Sequence, residues 1–62
     1  MDNIGTIDQI VWIRDHGDLE LLAEIDKIFI TRIISDYRMY GPMMILSKSN
    51  QIGIANIYHK LY

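Results

Sequence analysis

Cysteine is absent from this chain of 62 residues, which excludes both a disulfide framework and a thiolate metal site. A domain of this length buries only about 60% of the surface its unfolded chain exposes, so a single core without covalent staples has a thin margin. Self-association is the remaining common source of support, and a homodimer is expected. Proline occurs once, at Pro42, and glycine four times, too sparsely for a linker or low-complexity tract. A single domain over residues 1–62 follows. Apolar runs are short as well: the longest, residues 10–13 and 43–46, fall far below the roughly 20 residues of a membrane-spanning helix, so no membrane partner is expected. The first five residues, Met1-Asp2-Asn3-Ile4-Gly5, lack the basic and apolar segments of a secretory signal. Together with the missing cysteines, that makes the cytoplasm the expected location.

Reactive groups are equally scarce. The histidines are His16, beside Asp15 and near Asp18, and His59; neither has a second ligand at metal-binding spacing. There is no glycine-rich phosphate loop and no order of serine, histidine and acid that suggests a nucleophile with its base. The expectation is a protein that is not an enzyme, with no cofactor, no metal and no catalytic residue.

What is present is apolar side chain and a divided charge. Hydrophobic residues make up 50% of the chain and charged residues 23%, the balance of a folded domain rather than a disordered segment. The net charge of -2 hides an asymmetry. Residues 1–26 carry seven acids against the single base Arg14, whereas residues 27–62 carry five bases against the single acid Asp36. Such polarity suits an electrostatic partner, or attraction between the halves within one chain or across a dimer.

The periodicity is helical. Thr6-Ile7-Asp8-Gln9 has the form of a capping box, with Ile4 near a staple position, and predicts a first helix capped by Thr6 and running to about Asp15. Ile7, Ile10, Val11 and the stem of Arg14 share one face of it. A strand through the β-branched and aromatic residues 10–13 is the rival reading. The strongest pattern runs from Leu19 to Tyr40, capped by Asp18. There Glu20, Glu24, Lys27, Thr31, Ser35 and Arg38 fall on a polar strip of roughly 80° while apolar residues cover about two thirds of the circumference. One long central helix over 19–40 is predicted. Gly41-Pro42 ends it. Residues 43–61 form one helix, or two with a turn at Ser49-Asn50; two is the preferred reading, folded back antiparallel on the central helix. The fold class is all-α, a small bundle of three or four helices.

Function is argued from surfaces. Trp12 sits off the apolar face of the first helix, and Met39, Tyr40, Met43 and Met44 gather at the reversal after the long helix, adaptable side chains of the kind that bind protein partners. Ile25 and Phe29, with Arg32 and Asp36 one turn apart, mark an expected dimer seam in which the charges set register. The preferred function is a small regulatory or inhibitory protein acting by binding another protein through a helical surface. The alternative is a dimeric helix-turn-helix DNA-binding regulator, with Lys48, Asn50, Gln51, Asn56 and Lys60 facing nucleic acid.

Overall fold

The computed structural model describes residues 5–62, and among these it is all-helical. Three α-helices follow one another: α1 (Thr6–His16), α2 (Glu24–Tyr40) and α3 (Lys48–Leu61), with short 3₁₀ turns at Leu19–Leu21 and Gly41–Met43. Residues 10–13 are helical, so the strand reading is set aside. The proposed staple residue Ile4 lies outside the described residues.

Each helix begins differently. Gly5, not Thr6, is the cap of α1; the carbonyl of Gly5 accepts from the Gln9 backbone N–H at 3.0 Å, and no side chain caps the end. Thr6 has already entered the first turn, which leaves the capping-box geometry unformed. α3 opens on the strongest cap in the chain. The Ser47 Oγ accepts from the Asn50 N–H at 3.1 Å, and the Gln51 side-chain amide donates back to the Leu46 carbonyl, also at 3.1 Å. The polar run 47–50 is therefore the first turn of one helix rather than a break between two, because a serine that bonds the third N–H after it satisfies a helix start.

The predicted helix over 19–40 is interrupted. Asp18 Oδ1 does accept from the Glu20 N–H, at 3.1 Å, but it caps only the 3₁₀ turn; Leu22 and Ala23 are extended, and α2 starts at Glu24. The interruption leaves Leu21 in solvent and turns Leu22 into the core. The 3₁₀ turn keeps backbone bonds from the Leu21 N–H to the Asp18 carbonyl and from the Leu22 N–H to the Leu19 carbonyl, and burying a leucine contributes about 1.5–3 kcal/mol against the helical bonds forgone. From Glu24 onward the polar strip behaves as its spacing predicts, with Glu24, Thr31, Ser35 and Arg38 exposed and Lys27 half-buried.

One isoleucine from each helix, Ile10, Ile30 and Ile54, is completely shielded, and Ile13, Leu22, Ile33, Ile57 and Tyr58 complete the core. α3 packs most closely on α1, and α2 lies against both. The return segment was expected to fold onto the long helix, but α1 and α3 form the tighter pair. The reason lies in their facing side chains: Trp12 of α1 meets Tyr58 of α3 edge-on, with ring centroids 5.4 Å apart. Opposite charges join the two halves of the sequence: Lys60 Nζ of α3 lies 2.6 Å from Asp26 Oδ2 in the first turn of α2.

Gly41 ends α2 with φ 69° and ψ -163°. That combination is open almost solely to glycine. No neighbour crowds the position, so a Gly41→Ala variant meets backbone strain alone. It is expected to cost about 1–3 kcal/mol, read as a lowered midpoint in urea, whereas a midpoint equal to the parent's would mean the turn relaxes freely.

Candidate protein-binding surface

The chain after Gly41 builds a concavity. Residues 44–47 lie outside the helices, with extended backbone at Met44 and Ser47, and their exposure alternates as side chains along an extended segment do. Met44 and Leu46 are accordingly half-buried against the core, while Met43 and Ile45 face solvent. Ile45 is 97% exposed. Between this segment and the helix ends lies a cavity of about 380 Å³. Ile33, Met44 and Leu46 form its inner wall, Tyr40, Met43 and Ile45 its rim, and Asp36 and Asn50 its polar edge. Of the residues singled out from the sequence, Tyr40, Met43 and Met44 are thus brought together. Met39 is exposed on α2, outside this lining. Ile45 and Leu46 were not singled out. Their signal was in plain view: four apolar residues directly after a proline, where the helix cannot continue.

Trp12 is placed elsewhere. Its half-buried ring lies with centroids 5.4 Å from Tyr58, 5.5 Å from Tyr62 and 5.6 Å from His16, an aromatic cluster that closes the end of the α1–α3 pair. The off-face angle read from the sequence is occupied by the chain's own C-terminal tyrosines. Arg14 lies nearby with its guanidinium carbon 5.7 Å from the Tyr37 ring centroid, and its Nε donates to Asp15 Oδ1 at 2.9 Å. That hydrogen bond, reinforced by the guanidinium charge, holds the Asp15 carboxyl below its ordinary value. The resulting stability is present above the usual carboxylate range and fades as pH falls through the lowered value; both groups are solvated, so it is small.

The expected dimer seam divides. Phe29 turns inward: a Cβ built on Gly53 of α3 would lie 3.0 Å from the ring's Cε2 and Cζ. Glycine is what allows the aromatic ring to approach α3 this closely. Ile25 and Arg32 are exposed, Ile25 at the groove between α2 and α3, and the partly shielded Asp36 borders the concavity. Arg32 and Asp36 do not pair with each other; the ion pairs among the described residues are Arg14–Asp15, Lys27–Glu20 and Lys60–Asp26.

The residues proposed for nucleic acid all sit on α3 but not on one face. At 100° per residue, Lys48, Asn56 and Lys60 span about 120°, and Asn50 and Gln51 point to the remaining sectors. Lys60 is engaged by Asp26, Gln51 by the Leu46 carbonyl, and Asn50 lines the cavity. Among the described residues no three His, Asp or Glu side chains converge as metal ligands would, and no helix is long and apolar enough to cross a membrane. No protein-family model, curated protein or solved structure matches this chain.

Proposed function

We propose that this is a small regulatory or inhibitory protein that works by binding another protein, and that the surface it uses is the apolar concavity formed by Tyr40, Met43, Met44, Ile45 and Leu46. The observation that carries this reading is Ile45. A β-branched aliphatic side chain that is 97% exposed, beside exposed Met43 and Tyr40 and over a cavity of about 380 Å³, leaves apolar area in water. Each Å² of that area costs about 25 cal/mol until something covers it. Apolar side chains grouped around a pocket suit the anchor residue of a partner, since desolvated central contacts dominate protein interfaces. Methionine adds a flexible, polarisable wall that adapts to the anchor's shape. The protein acts here by occupancy, with no chemical step assigned to it.

A double variant, Met43→Ser with Ile45→Ser, tests this. Both side chains face solvent, so thermal melting should be unchanged. The partner co-purifying with the parent from its native host should be lost, with an affinity reduced by at least roughly 2 kcal/mol. Retention of that partner by the folded variant would refute the assignment.

A further inference from the structure

The outer face of α2 carries a second apolar pattern, which adjoins the concavity at Asp36. Ile25, Ile28, Arg32, Ser35 and Met39 are spaced three, four, three and four apart, the spacing of the a and d positions of a two-stranded coiled coil. All five are exposed. Ile28 is 62% and Met39 72% accessible, both turned roughly 120° or more around the helix from the buried Ile30 and Ile33, while Ile25, 76% accessible, borders the groove between α2 and α3. Near the middle of this seam sit Arg32 and Asp36, one turn apart and without an ion pair among the described residues. Their order explains why they do not pair in cis: a base placed four residues before an acid is the weaker arrangement on a helix and opposes the helix dipole.

We infer that this face binds a second copy of the chain, α2 against α2 and antiparallel. Reversing one helix about a two-fold axis near position 33 sets Ile28 opposite the second copy's Met39 and Arg32 opposite its Ser35. The second copy's Asp36, the next residue along, is then within reach of Arg32. The two-fold axis repeats every contact, so both arginines and both aspartates find opposite charges that the described residues of their own chain do not supply. A parallel pairing would instead set Arg32 against Arg32. The charge pattern therefore selects the antiparallel register as well as the occupant. The register pairs positions 28 to 39, about 16.5 Å of helix, and leaves Ile25 at its edge opposite position 42; such a seam is at the low end of specific interfaces, and association in the micromolar range is expected. This inference goes beyond the binding role of Met43 and Ile45 and does not depend on it.

Charge reversal tests it on the whole chain by sedimentation. The parent should shift from monomer to dimer as concentration rises through the micromolar range. R32D and D36R, each checked for parental helicity by circular dichroism, should each associate at least roughly tenfold more weakly, because like charges then meet twice. An equimolar mixture of the two should recover the dimer, since acids in one chain then face bases in the other. A structural role within one chain would give no such recovery. Orientation is read independently of those charges. The chain has no native cysteine, so Ile28→Cys and Met39→Cys variants, mixed and mildly oxidised, should join position 28 of one copy to position 39 of the other. A parent that stays monomeric to high micromolar concentration, a mixture that fails to associate, or crosslinks only between identical positions would each overturn the antiparallel seam.

Discussion

Ile54→Ala should cost the domain about 2–5 kcal/mol of stability, while Ile45→Ala, the same chemical change nine residues earlier, should leave its stability within about 0.5 kcal/mol of the parent. Ile54 is 0% exposed and lies with Ile10 and Ile30 in the core. Removing its outer carbons forfeits the transfer free energy of burial and leaves a void that three helices cannot close without shifting, a cost of about 2–5 kcal/mol. Against this, a chain of 62 residues has a total stability on the order of 3–9 kcal/mol. The upper part of the mutational range therefore exceeds the lower part of the available stability. Ile45 has no such contacts to lose. Urea titration monitored by circular dichroism compares the two directly, and equal midpoints for both variants would contradict the core described here.

Trp12→Ala is expected to be comparably damaging, at the lower end of the range of about 3–5 kcal/mol that a fully buried tryptophan would cost, because its ring is half-buried. The sequence alone suggested a tryptophan held out for a partner, whose truncation would spare the fold. In the folded chain its ring meets Tyr58, Tyr62 and His16, and Tyr58 is itself a core residue. Truncation removes the shielded part of the ring and its edge-to-face contact with Tyr58, worth about 0.5–1.5 kcal/mol beyond the area. It also opens the end of the α1–α3 pair. Trp12→Phe should recover much of the loss, because it restores an aromatic face without the indole N–H. Near-ultraviolet circular dichroism and thermal melting of the two variants check this. A Trp12→Ala protein that melts with the parent would show the ring to be dispensable for folding, and the role of partner anchor would then return to it.

The contrast between Trp12 and Ile45 marks where sequence reasoning carries and where it stops. Helical periodicity, the glycine and proline stop at 41–42 and the polar strip on α2 depend on residues a few positions apart. Rise, rotation and capping act at that range, so the all-helical class and the polar face from Glu24 to Arg38 were legible by themselves. Other features depended on residues far apart in the chain. The sequence shows α2 as apolar over most of its circumference, yet only the docking of α1 and α3 selects the flank holding Ile30 and Ile33 for burial and leaves Ile25, Ile28 and Met39 outside. The break at residues 22–23 trades local backbone bonds for one leucine's place in a core that exists only after folding. Trp12 finds Tyr58 and Tyr62 across nearly the whole length of the chain. The apolar run 43–46 becomes a rim and an inner wall because successive side chains face alternately the core and the solvent. Local hydrogen bonding determined where helices form, whereas the division of apolar surface into buried core and exposed remainder was decided by tertiary packing, which brings distant residues together.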